Sequence, residues 1–134
     1  MHENYHRSPA YLGLQPLRIP AGWTVNWNTL HATSRAEDGG FGGSSLFNAV
    51  NQGRRFAIDV AFRPEFDPAG WFELEVEYQP WPRTEKGKRQ QGVPFRFDDR
   101  AEVVHGFRTR SYDELVAELE AWIARCTVWT REGN

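Results

Sequence analysis

The sequence predicts an α+β fold, a two-layer domain in which an antiparallel sheet of four to five strands packs against one long C-terminal helix. Three observations carry this. From Phe72 to Tyr78, apolar residues alternate strictly with Glu73, Glu75 and Glu77, the period of a strand with one dry face and one wet face. Phe56, Ile58, Val60 and Phe62 alternate in the same way with Ala57, Asp59 and Ala61. Only the Pro64–Gly70 segment separates the two runs, too short for a crossover helix, so they pair antiparallel. Finally, Tyr112, Leu115, Val116, Leu119, Trp122, Ile123 and Cys126 recur at three- and four-residue spacing, the stripe of an amphipathic helix. One apolar sheet face and one apolar helix stripe are each buried by covering the other.

Taken in order, residues 1–15 show no period and are interrupted by Pro9 and Gly13, so they read as a tail. His2 and His6 within it lack Cys or acidic co-ligands. Pro16–Gly22 leads into a strand near 23–32, where Val25, Trp27 and Thr29 alternate with Thr24, Asn26 and Asn28. Val25 and Trp27 are expected on the dry face, Asn26 and Asn28 on the wet one. Ser34–Ser45 is a glycine-rich, mobile loop. It lacks the closing Gly-Lys-Ser/Thr and the spacing of nucleotide-binding loops, and Glu37 and Asp38 would repel an anion. Ser45–Val50 reads as a short helical turn ended by Asn51–Gly53.

A strand follows over Arg54–Arg63, then the strand between Gly70 and Pro80, both punctuated by turn-forming residues. Pro80–Gly92 is a polar basic loop. Pro94–Phe97 and Glu102–Arg108 form a fourth strand, or a pair split by a turn at Asp98–Arg100. Ser111 caps the helix, with Glu114 completing a capping box and Asp113 adding favourable charge in the first turn. The helix runs to Cys126, and 128–134 reads as a second tail.

With 134 residues the chain makes one domain, spanning 1–134, able to bury about two-thirds of its unfolded surface without a staple. Nine Phe, six Trp and four Tyr supply bulk for the core. The single cysteine, Cys126, excludes an internal disulfide and fits a reducing compartment. No apolar run reaches the ~18 residues of a membrane span, and Met1–Arg7 lacks the apolar segment of a secretion signal. The expectation is a cytoplasmic protein. A net charge of −2 gives no global attraction to nucleic acid. Charge is instead blocked: Glu65–Glu77 holds five acids and no base, whereas Arg83–Arg89 holds four bases against Glu85.

Several residues invite a chemical reading. Glu73, Glu75 and Glu77 stand about 7 Å apart along one strand face, a spacing that a divalent cation or an acid–base pair can use. The plainer reading is a solvated face. His31 and His105 end predicted strands and, paired with Glu75 or Glu77, would make the acid and base of a small ribonuclease. That chemistry also needs cations beside the base to hold phosphate, and this face is acidic. Cys126 lies on the apolar stripe without a neighbouring base and reads as a core residue. No catalytic set, metal site or cofactor site is assigned.

Three stretches carry a resemblance: Leu-Arg-Ile-Pro-Ala-Gly-Trp-Thr-Val at 17–25, Asp-Pro-Ala-Gly-Trp-Phe-Glu-Leu-Glu-Val at 67–76, and Thr-Arg-Ser-Tyr-Asp-Glu-Leu at 109–115. Together with the final helix they resemble immunity proteins of bacterial polymorphic-toxin and contact-dependent growth-inhibition systems, over about half of the chain. The glycine-rich and basic loops have no counterpart in the resemblance. It implies a non-enzymatic protein that binds and neutralises one cognate toxin, a nuclease domain, by occluding its active site.

On that reading the partner-binding residues are Glu73, Glu75, Glu77 and Asp59, with Trp71 and Trp81 as aromatic anchors. The basic group Arg83, Lys86, Lys88 and Arg89 is the alternative partner-binding surface. The alternatives in function are another non-catalytic binding or regulatory module and the His31/His105 ribonuclease. Oligomeric state is left open.

Overall fold

A computed structural model describes residues 14–30, 45–64 and 66–132. Five strands, β1 (Thr24–Asn28), β2 (Phe47–Asn51), β3 (Phe56–Arg63), β4 (Trp71–Tyr78) and β5 (Glu102–Thr109), form one antiparallel sheet. Their spatial order repeats their chain order. A C-terminal helix, α1 (Tyr112–Val128), lies on one face against β4 and β5. The expected α+β architecture, one sheet and one helix, is the one observed.

Alternation assigns the faces. Phe56 stands opposite Tyr78, Ile58 opposite Val76, Val60 opposite Leu74 and Phe62 opposite Phe72, all buried. Between them Ala57, Asp59 and Ala61 stand opposite Glu77, Glu75 and Glu73 on the other face. The helix returns Tyr112, Leu115, Leu119, Ile123 and Cys126 to the dry face, all buried, with Val116 and Trp122 half-buried at the margins. Each large side chain withdrawn from water contributes about 1.5–3 kcal/mol, and this layer is where the fold's stability resides. Burial pushes the Cys126 thiol up to about 12, so it sits in the core as a neutral thiol.

Several expectations are corrected. Ser45–Val50 is not a helical turn: Phe47–Asn51 is a strand. Asn and Ala are poor strand formers, but Phe47 and Ala49 gain buried partners in Val60 and Ile58, and that pairing overrides local propensity. Val25 and Trp27 do not share the dry face. A bulge between them sets Val25 opposite Ala49 and Trp27 opposite Asn48, hence on opposite faces, and leaves them 40% and 45% exposed. Past the bulge, Asn28 stands opposite Phe47 instead of on the wet face.

Strand β3 starts at Phe56, because Arg54 and Arg55 belong to the preceding turn, with Arg55 at φ 70°. Pro94–Phe97 is not a strand; Phe95 and Phe97 pack edge to face at 5.2 Å, and only the later segment pairs with β4. The Pro80–Gly92 loop is ordered into a small hairpin: Arg83 bridges Arg89, and the Thr84 N–H donates to the Lys88 carbonyl at 2.8 Å.

Ser111 caps α1 as expected, its hydroxyl accepting from the Glu114 N–H at 3.1 Å. The reciprocal half of the capping box is replaced. Glu114 accepts from the Thr109 hydroxyl, which in turn accepts from the Ser111 N–H. The helix continues past Cys126 to Val128.

Neither predicted tail is free where it is described. The Gln15 N–H donates to the Leu30 carbonyl at 2.8 Å. Trp129 stacks on Phe56 at 5.2 Å, and Glu132 reaches Tyr78 and Arg83. Residues 1–13, with His2 and His6, and 31–44, with His31 and most of the glycine-rich loop, lie outside the described residues. No helix among the described residues is long and apolar enough to cross a membrane.

Candidate functional site

Strand pairing builds two charged surfaces from the residues singled out in the sequence. The first is the sheet face turned away from α1. Register places Glu73, Glu75 and Glu77 of β4 there, flanked by Ala61, Asp59 and Ala57 of β3 and by Arg108, Gly106 and Val103 of β5. Glu73 is the least available of the three glutamates. It accepts from the Trp71 indole at 2.8 Å and pairs with Arg63 at 3.3 Å and Arg108 at 3.2 Å. Trp71 is half-buried, with the Arg108 guanidinium 5.0 Å from its ring centre.

Glu75 and Glu77 differ: among the described residues neither has a hydrogen-bond or ion-pair partner. Glu75 stands directly opposite Asp59, a like-charged cross-strand pair, and such pairs destabilise a sheet. Asp59 takes hydrogen bonds from Ser45 and Asn48 but has no cation partner among the described residues. The Glu77 carboxyl is held above its ordinary range, first by burial and then by the charges of Glu75 and Asp59. On the β5 side, Gly106 leaves a trough of about 280 Å³ beside Glu75, with Glu73 and Arg108 on its rim.

The second surface lies at the base of the basic hairpin, and here the sequence reading is revised. Trp81 does not join the acidic face. Its ring centre lies 4.3 Å from the Arg55 guanidinium and 4.6 Å from that of Arg89, and the Trp81 backbone N–H donates to Glu132 at 3.0 Å. Arg83 pairs with Glu132, whereas Lys86 and Lys88 project into solvent. For Glu132, burial acts upward but is outweighed by hydrogen bonds from Tyr78, the Trp81 N–H and Arg83, which hold its carboxyl down at about 2.

Sequence reasoning missed Arg55, Gln79 and Asp98. Gln79 is 1% exposed and locks to Asp98 twice: its amide donates to the carboxylate at 2.8 Å, and its oxygen accepts the Asp98 N–H at 2.9 Å. Gln79 next to Pro80 read as a strand end, and no local signal marks a contact formed 19 residues away.

His105 lies on the helix side of the sheet, opposite Val76. Its Nε2 is 2.7 Å from Glu118, and its ring stacks on Trp122 at 4.3 Å. The pairing with Glu75 or Glu77 that a His105 ribonuclease needs is therefore not formed, because those glutamates occupy the opposite face. Among the described residues, no cluster of His, Cys, Asp and Glu is arranged to hold a metal ion. No family model, curated protein or solved structure matches this chain.

Proposed function

We propose that this chain is a non-catalytic immunity protein that binds a nuclease toxin domain and covers its cleft with the open sheet face. The observation that carries the reading is the like charge of Asp59, Glu75 and Glu77, which no cation among the described residues pairs with. Hydrophobic burial on the other face accounts for the fold, and nothing in that packing calls for carboxylates facing one another here. A cationic partner would relieve the repulsion. Nuclease clefts are cationic because they hold phosphate, so a competitor that presents carboxylates gains both steering and specificity. Trp71, at the rim of this face, supplies an aromatic contact.

The test begins with affinity capture from the source cell, identification of the partner, and co-expression with it. Glu75→Lys/Glu77→Lys should lower the association rate by at least about tenfold at low salt, with a smaller difference at high salt. Lys86→Glu/Lys88→Glu serves as the comparison, since both lysines are exposed and neither supports Trp81. With both variants folded by circular dichroism, unchanged binding by the glutamate variant would rule out the acidic face. Loss in the lysine variant alone would move the interface to the hairpin. If co-expression protects cells from no captured partner, the immunity reading falls.

A further inference from the structure

The pocket at the base of the hairpin is built around a guanidinium with no contact ion pair among the described residues. Arg55 is only 6% exposed, yet among the described residues no carboxylate forms an ion pair with it. Its Nε donates to the Gln79 carbonyl at 2.7 Å and its Nη2 to the Pro80 carbonyl at 3.1 Å, leaving Nη1 without a hydrogen-bond partner among the described residues. The guanidinium lies against Trp81 at 4.3 Å and Phe95 at 5.0 Å, which fixes its plane. Its backbone sits at φ 70°, a region that disfavours any residue other than glycine or asparagine. Buried arginines are ordinarily paired at contact distance, whereas Glu132 and Asp98 act on Arg55 only from a distance and its Nη1 stays open to solvent.

The surroundings add positive charge. Arg55 lines a pocket of about 290 Å³ together with Arg83, Arg96 and Arg100, against the single carboxylate of Asp98. Asp98 is already committed to Arg100 at 3.1 Å and to Gln79, and these hydrogen bonds, that of Arg100 foremost, hold its carboxyl well below the usual range. Arg83 is taken by Glu132. Arg96 has no hydrogen bond or ion pair among the described residues and stands exposed at the pocket. The pocket thus offers a fixed, partly unsatisfied guanidinium inside and a free one at its edge.

We propose that this pocket binds a compact oxyanion, the phosphate or carboxylate group of a small molecule, held between Arg55 and Arg96. Guanidinium forks match both groups geometrically, and the low-dielectric wall formed by Trp81 strengthens the contact. This site is separate from the acidic sheet face and does not depend on the toxin-binding reading.

The experiment is a nitrogen–proton NMR titration of the full chain at fixed ionic strength, with inorganic phosphate, citrate and chloride as separate probes. The expected result is a saturable shift of the Trp81 indole and Arg55 Nε–H signals with phosphate or citrate and none with chloride. The stronger of the two identifies the source as phosphoryl or carboxylate. Arg96→Glu alters an exposed, unpartnered side chain and should weaken binding by at least about tenfold while leaving the melting temperature without ligand unchanged. Arg55→Lys keeps the charge but loses the fork and should weaken binding similarly; if it fails to fold, Arg96→Glu carries the test. Shifts that are linear, equal for chloride, or unaltered by Arg96→Glu would overturn the proposal.

Discussion

At Gly70 a methyl group would lie 2.6 Å from Phe62 Cε2 and 2.8 Å from the Arg63 carbonyl oxygen, separations that a Cβ atom does not tolerate. The turn into β4 brings backbone directly against the buried Phe62 ring, and only glycine leaves room. Gly70→Ala should therefore cost about 1–3 kcal/mol, the range for forcing extra atoms into a packed site, read as a lower urea midpoint. An unchanged midpoint would show that the turn moves aside freely. In the sequence Gly70 was legible only as punctuation before a strand, because the ring it meets is supplied by β3. Trp81 teaches the same lesson. Its indole looked like a free anchor, and it is instead packed beside Arg55, whose left-handed backbone no local pattern announces. Glu75 and Glu77 were legible as wet-face carboxylates from period alone, whereas the half-burial of Glu77 and the neutralisation of Glu73 by Arg63 and Arg108 depend on strand pairing.

Elements with a full period were read correctly in type, although β3 begins at Phe56 instead of Arg54 and α1 ends at Val128 instead of Cys126. Strands β3 and β4 repeat their alternation over whole strands, and α1 combines a seven-residue stripe with a serine cap. Leu119 lies at the centre of that stripe and is fully buried against the sheet. Leu119→Ala should cost about 2–5 kcal/mol in chemical denaturation, and a loss below about 1 kcal/mol would mean that the helix is not held by this face. The short strands were not legible. In β1 one inserted residue reverses the alternation halfway along, so Val25 and Trp27 look like neighbours on a face they do not share. In β2 the Asn and Ala residues of Phe-Asn-Ala-Val-Asn have weak strand propensity, and the hairpin with β3 decides the conformation. Short elements take their structure from partners, and a single sequence does not name the partner.

Over the whole molecule, the residues after α1 act as a clasp across the sheet end. Thr130 accepts from Arg54, Arg131 pairs with Glu102, and Glu132 gathers Tyr78, Trp81 and Arg83. The Glu132 carboxyl titrates at about 2 in the fold against an ordinary 4.5. A carboxyl with a depressed folded value contributes stability that is fully present above its ordinary range and is lost as pH falls through the folded value. Wild-type protein should thus lose stability between about pH 5 and pH 2, and Glu132→Gln, which keeps an acceptor for Tyr78, should be less stable at pH 7 and flatter across that window. Equal slopes in urea melts across the range would show that the clasp carries no charge-dependent stability. The ordering of the strands has a consequence in time. Because each strand pairs with its predecessor, β1 to β4 can assemble on the ribosome as they emerge, yet the residues that cover their greasy side arrive last. From Tyr78 to Val128 the ribosome must add another fifty residues, roughly 3–10 s at ~5–20 residues per second. During that interval Phe56, Ile58, Phe62, Phe72 and Leu74 form a bare apolar sheet, and nascent-chain chaperones would be needed most then.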